Sequence, residues 1–416
     1  LLSDSPKSLE DLKKIRQTRK EDSEAGKELL KKEIQTSNEL KAWWIDEMKT
    51  TEFSLREKMT LFWENHFVTA YQKVKVNYWI FQKNQLLREN AFGNFKTLTK
   101  KVMQTNAMVR YLDNVDNKKG KLNENLSREL LELFTLGIGN YSEADIKNGA
   151  KGLAGLGVGE TTAMYRRFLE DNDPIEYLGK KGVLKLDEMV DAIFDHPKIP
   201  YLLTQKILQW FLYDEPKENL VKHYGDYFRK VNFEIKPLLI KILTEEVAKN
   251  DTAGSKIKNP LEYILLLTSE LKTQRPESTT IAFFLKQQGM DLFNPPNVKG
   301  WDGGKSWLTS QIYLQRNNVA DLLSSGKSIP RSKLGRENTL NKKQAFSISL
   351  DWNTKGTNKE IIKELTDRLL FSTDTSLQQD LEKILKYDFD PQSLGANDAV
   401  LRLFNAIIKS PEFQLI

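Results

Sequence analysis

The stretch from Asn123 to Gly137 carries the residue types best suited to chemistry in this chain. In an α-helix successive residues are rotated by about 100°. The polar side chains of this stretch then lie within an arc of roughly 140°, and its leucines lie on the opposite side. The polar side chains are Glu124, Asn125, Arg128, Glu129 and Glu132. Arg128 lies four residues from both Glu124 and Glu132, so it can hold either carboxylate ionised. Such a face could perform general acid–base catalysis, bind a ligand, or be a solvated face with ordinary salt bridges.

The residues after this helix are expected to bring a tyrosine close to its end. Gly137 has the properties of a left-handed residue that terminates a helix, and Ser142 with Asp145 predicts the start of the next one. The turn between them would project Tyr141 towards the polar face. Tyr141, Glu124 and Asn125 are therefore candidate ligand-binding residues.

A second polar stretch, from Asn294 to Leu308, has the composition of a shaped loop. Its two prolines fix φ, and its three glycines allow positive φ. The loop presents Trp301 beside Lys299 and Asp302. An aromatic plane flanked by charges suits a sugar or another amphipathic ligand, which makes these three residues ligand-binding candidates. The alternative is that Trp301 anchors the loop to the helices beneath it.

The chain has no cysteine and only three histidines, His66, His196 and His223. Disulfides, zinc–thiolate sites and cysteine nucleophiles are therefore excluded. His66 lies among large apolar residues and is a candidate catalytic residue, with a packing histidine as the alternative. No metal site and no cofactor is evident, although a Ca²⁺ or Mg²⁺ ion held by carboxylates remains an alternative.

Apolar residues recur at helical spacing throughout the 416 residues, as in 55–63 and 202–211. Strand-like alternation is scarce, and its best case is the short stretch 345–350. The pattern predicts an all-α protein, a large multi-helix orthogonal bundle with long irregular loops and a small carboxy-terminal helical unit. The predicted segments are charged helices at 1–40, a main helical domain at 41–323, a polar loop or linker at 324–357, and helices at 358–416 that pack on the main domain.

Charge and hydropathy bear on the possible partners. The 63 basic and 57 acidic residues give a net charge of +6, but both signs are interspersed along the chain. The densest basic run, Lys118 to Lys121, is too short to follow a phosphate backbone, so we expect no nucleic-acid partner. No apolar run is long enough for a membrane span. The chain begins at Leu1 rather than Met, which fits an exported protein whose signal segment is not part of the sequence.

Three stretches resemble a bacterial family named domain of unknown function eighteen hundred. They are 55–67, 123–137 and 295–308, and with smaller matches they cover most of residues 40 to 320 in order. The resemblance implies a mostly helical, exported protein, often encoded beside a secreted sulfatase- or phosphatase-like protein that is a candidate partner. It implies no known reaction. The chain departs from the family pattern at Glu64, where many members have histidine.

Two functional hypotheses follow. In the first, the protein is a binding or assembly component of the cell envelope that acts with a partner protein or a glycan. In the second, it is a carboxylate-based hydrolase or lyase acting on a polysaccharide or another anionic envelope substrate. There Glu129 or Glu132 is the acid or base, Arg128 orients the substrate and Trp301 stacks on a ring. The second hypothesis requires the polar helix face, the Trp301 loop and His66 to meet in space.

Overall fold

The computed structural model describes residues 2, 6–21, 23–52, 54–249, 252–273, 278–326 and 347–416. Across these residues the chain forms nineteen α-helices, and its strands form two small antiparallel pairs. The prediction of a mostly all-α fold is confirmed. Most of the predicted linker at 324–357, and part of the alternating stretch at 345–350, lie outside the described residues.

The chain divides into two compact units. The first comprises Leu1–Ala248 with Phe293–Trp301, and the second comprises Lys249–Leu292 with Asp302–Ile416. Residues 293–301 thus return to the first unit after the chain has entered the second. The first half of the predicted Asn294–Leu308 loop therefore belongs to the first unit, and Asp302 belongs to the second.

The first unit contains thirteen helices among its described residues. They are α1 Leu9–Glu21, α2 Ser23–Thr50, α3 Leu55–His66, α4 Tyr71–Val74, α5 Asn77–Glu89, α6 Phe95–Met103, α7 Asn106–Tyr111, α8 Asn125–Glu132, α9 Glu143–Gly152, α10 Leu186–Asp195, α11 Ile199–Phe211, α12 Glu218–Lys230 and α13 Ile235–Glu246. Two antiparallel pairs lie between α9 and α10, namely β1 Leu156–Gly157 with β2 Met164–Tyr165, and β3 Ile175–Tyr177 with β4 Lys180–Gly182. In the second pair Glu176 lies opposite Lys181.

The second unit contains six helices among its described residues. They are α14 Pro260–Glu270, α15 Ser278–Gln287, α16 Ser310–Ser324, α17 Asn358–Leu369, α18 Thr375–Ile384 and α19 Ala396–Ile408. The buried Arg316 guanidinium organises part of its core by donating to the Gln414 side chain at 3.0 Å and to the Lys258 carbonyl at 2.6 Å. These bonds join α16 to the segments on either side of it in sequence.

An aromatic cluster forms the part of the first unit's core that supports the candidate site. Trp63 and Phe67 stack with ring centroids 5.8 Å apart, and Phe67 meets Phe134 edge-on at 5.4 Å. Phe95 of α6 joins the cluster and contacts Phe194 of α10 at 5.2 Å. Aromatic pairs of this kind add stability beyond the apolar area they bury. The cluster therefore fixes the end of α3 against the residues that follow α8.

A buried ion pair lies beside this cluster. The Lys83 ammonium donates to Glu64 Oε2 at 2.6 Å and to Thr69 Oγ1 at 2.9 Å, and Asn84 Nδ2 donates to the other Glu64 oxygen at 3.2 Å. Burial lowers the pKa of Lys83, and the Glu64 carboxylate opposes that shift. Buried charges are tolerated when they are paired and hydrogen-bonded, as these are.

Removing the Lys83 ammonium should show how much the stability of the fold depends on its pair with Glu64. Lys83→Ala should lower the free energy of unfolding by about 3–5 kcal/mol, because it leaves the Glu64 carboxylate buried without a counter-ion. Denaturant titration measures the change. Lys230→Ala, at an exposed position of the same unit, should change it by less than about 0.5 kcal/mol. A loss below about 1 kcal/mol for Lys83→Ala would contradict the assigned role.

Candidate functional site

Helix α8 displays the amphipathic pattern predicted for it. Leu126, Leu130 and Leu131 are buried, and Glu129 and Glu132 lie half-buried at the surface. The Gly137 amide donates to the Leu131 carbonyl at 3.1 Å, and Gly137 has a φ of 83°. A left-handed glycine whose amide donates to the carbonyl six residues earlier is commonly found after the end of a helix. Helix α8 itself ends earlier than predicted, at Glu132, and a turn over residues 133–136 leads to Gly137, which has the predicted left-handed conformation.

Arg128 is tied to carboxylates of its own unit. Its two terminal nitrogens donate to the two oxygens of Glu143 at 3.0 Å each, and one of them also donates to Glu124 at 3.2 Å. These bonds raise the pKa of Arg128, and the Arg128 charge lowers the pKa of Glu143. Because Glu143 begins α9, the guanidinium joins α8 to the next helix. Asn125 is half-buried, and its amide donates to Asn123 Oδ1 at 3.0 Å.

Glu132 is bonded to Tyr141, the tyrosine predicted to lie near the end of this face. The Tyr141 hydroxyl donates to Glu132 Oε2 at 2.9 Å. Burial, and then the Glu132 carboxylate, raise the pKa of Tyr141 to about 12. The phenol therefore remains a protonated donor at neutral pH. The helix start that positions Tyr141 is also as predicted, because Ser142 and Asp145 form a reciprocal capping box.

Glu129 is a half-buried carboxyl whose surroundings shift its pKa. Burial, and then the charge of Glu132, raise the pKa of the Glu129 carboxyl, and Arg128 and Lys299 oppose the shift. Tyr111 of α7 is a further neighbour, because burial, and then Glu129, raise its pKa to about 12. A carboxyl whose pKa is raised by burial and by a nearby negative charge is found in functional sites and in structural charge clusters.

The loop that carries Trp301 is held by Asn65 near the end of α3. The Trp301 amide donates to Asn65 Oδ1 at 2.7 Å, and Asn65 Nδ2 donates to the Trp301 carbonyl at 3.4 Å. Gly300 makes this approach possible, because its φ is 89° and a Cβ there would lie 2.2 Å from Asn65 Oδ1. Trp301 is only 6% exposed, and its indole Nε1 has no hydrogen-bond partner among the described residues. Its ring therefore packs into the unit rather than standing in solvent.

His66 and Lys206 bind the main chain where α8 ends. His66 Nε2 lies 3.0 Å from the Phe134 carbonyl, and Lys206 Nζ lies 2.8 Å from the Leu133 carbonyl and 3.4 Å from His66 Nδ1. An ammonium group only donates, so Nδ1 accepts and Nε2 carries the ring proton. Burial, and then Lys206, lower the pKa of His66 well below its usual value. The imidazole is therefore neutral at pH 7, and both of its nitrogens are engaged.

The three stretches singled out in the sequence meet within the first unit. The His66 ring bonds to the residues ending α8, its neighbour Asn65 holds Trp301, and the Lys299 charge acts on Glu129. Asp302 is exposed and belongs to the second unit. We define the α8 acidic face as Glu129, Glu132 and Tyr141. Within the described parts of the chain, no group of three or more His, Cys, Asp or Glu residues is placed to hold a metal ion.

Sequence reasoning missed three residues of this site. Asn65 and Tyr111 were not singled out, and Lys206 was one of the smaller family matches with no role assigned to it, although each bonds to or perturbs a residue of the candidate site. Asn65 offered one signal, a single amide within the apolar run that ends α3. Tyr111 and Lys206 offered none of comparable strength, because nothing in the sequence pairs them with α8.

The exposure of Arg128 predicts a small effect on stability. Its side chain is 34% exposed, so Arg128→Ala should lower the free energy of unfolding by less than about 1 kcal/mol, as is usual for surface ion pairs. Thermal unfolding checks this. A loss of several kcal/mol would mean that the Arg128 cluster is far more desolvated than its exposure indicates.

Lys206 should give the protein a distinctive pH dependence. Burial lowers its pKa from 10.5 to about 8, so between these values the unfolded state binds a proton that the folded state does not. The stability of the wild type relative to Lys206→Met should therefore rise with pH across this window, by up to about 1.4 kcal/mol per pH unit. Denaturant titration at several pH values measures it, with Lys230→Met as the exposed control. Parallel profiles for wild type and Lys206→Met would contradict the role of Lys206 as a partly buried cation.

Comparison with known families accounts for the whole chain. A family model described as Protein of unknown function (DUF1800) matches residues 2–415. No match was found among curated proteins, and none among solved structures. No described helix is long and apolar enough to cross a membrane. The match confirms the family resemblance of the three stretches and extends it to both units, so the chain belongs to the DUF1800 family.

Proposed function

We propose that this protein is an exported binding component of the bacterial cell envelope, and that its first unit holds a glycan on the α8 acidic face. The observation that carries the proposal is the half-buried pair of carboxylates, Glu129 and Glu132, beside Tyr141 and the Lys299 charge. Carboxylates accept strong hydrogen bonds from hydroxyl groups, and partial burial strengthens such bonds.

The engagement of the neighbouring groups favours binding over catalysis. Arg128 donates two parallel hydrogen bonds to the Glu143 carboxylate, and His66 and Lys206 bind main-chain carbonyls. Because Arg128, His66 and Lys206 already bind other parts of the protein, they stabilise the fold. The carboxylates of the α8 acidic face are the groups that can still bind a ligand. Tyr141 satisfies one oxygen of Glu132, so the remaining acceptor positions of both carboxylates are available to sugar hydroxyls.

The proposed location and protein partner rest on the family resemblance. That resemblance implies an exported protein encoded beside a secreted sulfatase- or phosphatase-like protein. Such a neighbour would act on envelope glycans, and a glycan-binding protein beside it would bring enzyme and polymer together. The glycan is therefore the proposed ligand and the secreted neighbour the proposed partner.

Binding of envelope oligosaccharides tests the proposal. Isothermal titration with a panel of neutral and acidic oligosaccharides should find a ligand whose affinity falls about tenfold in Glu132→Gln, the equivalent of one charged hydrogen bond. Glu218→Gln is the matched control, because Glu218 is an exposed glutamate of the same unit. Equal affinity in wild type and Glu132→Gln, or no binding across the panel, would contradict the proposal.

The raised pKa of Glu129 favours a second candidate function, a carboxylate-based hydrolase or lyase. A carboxyl whose pKa is raised by burial and by a second carboxyl beside it fits a general acid paired with a base. In that case the purified chain should release reducing ends from the bound polysaccharide, and Glu129→Gln should lower the rate by about 10²–10⁴. Binding without turnover separates the first function from this one.

A further inference from the structure

We propose that the first unit docks on anionic lipid surfaces through a patch formed by Lys118, Lys121, Leu122, Arg167 and Phe168, called the Phe168 patch below. The proposal is independent of the glycan site, because none of these residues belongs to the α8 acidic face. It concerns peripheral attachment to the lipid surface.

Main-chain bonds bring the two parts of the patch together. Lys118 and Lys121 exchange amide–carbonyl bonds of 3.1 and 2.9 Å across a tight turn, in which Gly120 has a φ of 78°. The Lys119 amide donates to the Leu169 carbonyl at 2.9 Å. This bond fixes the turn against the short 3-10 helix Arg167–Leu169. The basic turn and Phe168 are therefore neighbours in the folded unit.

The apolar part of the patch stands in solvent. Phe168 is 83% exposed, and Leu122, which follows the basic turn, is also exposed. A phenylalanine this exposed is unusual for a soluble protein, because burying the ring would release most of its apolar surface from water. Exposed aromatic rings of this kind enter the interfacial zone of a bilayer readily.

The charge around Phe168 is complementary to anionic headgroups. Lys118, Lys121 and Arg167 are exposed and form no ion pair with any described residue, whereas Lys119 is neutralised by Asp171 and Asp173 at 3.9 and 3.4 Å. Asp116 is a nearby exposed carboxylate. With Lys119 included, four cations against the three carboxylates of Asp116, Asp171 and Asp173 leave a surplus of one positive charge in this region.

The size of the patch selects a lipid surface over a protein partner. A stable protein interface buries about 800 Å² on each side, with an apolar centre of several residues. Here the apolar centre is one ring and one leucine. Docking on a lipid surface needs only such an apolar anchor and a few cations. Each cation raises the affinity for an anionic membrane about fivefold.

Vesicle co-sedimentation of the full chain tests the inference. The protein should sediment with vesicles of phosphatidylcholine and phosphatidylglycerol, and far less with vesicles of phosphatidylcholine alone. Lys118→Ala/Lys121→Ala should weaken binding by at least tenfold, and Phe168→Ala by about tenfold. Raised salt should weaken the binding of the wild type.

Matched control variants separate binding through the Phe168 patch from effects of overall charge and of exposed aromatic residues elsewhere. Lys230→Ala/Lys236→Ala removes two exposed cations elsewhere on the first unit, and Tyr387→Ala removes an aromatic residue of the second unit that is 91% exposed. Both should bind as the wild type does. Thermal unfolding should match the wild type for all variants, because the altered side chains are exposed.

Four results would overturn the inference. They are equal binding to neutral and anionic vesicles, no binding to either, control variants that lose as much as the patch variants, and a change of oligomeric state in Phe168→Ala without vesicles. The last would mean that a second copy of the chain covers the ring.

Discussion

The candidate site depends on how the end of α8 is bound. A helix leaves its last carbonyls without partners, and burying them unpaired would be costly. Here His66 and Lys206 bind the carbonyls of Phe134 and Leu133. Because the two donors come from α3 and α11, they hold α8 against two other helices at once. Together with the buried leucines of α8 and the Arg128–Glu143 pair, these bonds position Glu129 and Glu132.

The same arrangement explains the electrostatics of the site. His66 is neutral because it is buried and because Lys206 lies beside it, so only one positive charge stands at the carbonyl end of the helix, where the helix dipole favours it. On the outer face Glu129 and Glu132 repel each other, and Lys299 on the Asn65-held loop offsets part of that repulsion. Gly300 permits the close approach that brings the loop there. The carboxylate pair is thus positioned and partly compensated by contacts distant in sequence.

Local features of the site could be predicted from the sequence, and long-range partners could not. Spacing and turn residues identified the amphipathic α8, the left-handed Gly137 that follows it and the capping box that positions Tyr141, because each depends on neighbouring residues. Lys206 was missed because its partner Leu133 lies 73 residues away, and Asn65 because its partner Trp301 lies 236 residues away. The same limit applies to Arg128, whose strongest partner is Glu143 on the next helix rather than a residue four positions along α8.

Hydrogen–deuterium exchange of the whole chain, with and without envelope oligosaccharides, tests the central claim most directly. If the α8 acidic face is the binding site, the amides of residues 129–141 and 299–301 should gain protection on adding the ligand, while exchange in the second unit stays unchanged. Protection confined to other segments, or a bound oligosaccharide that leaves these amides unchanged, would contradict it.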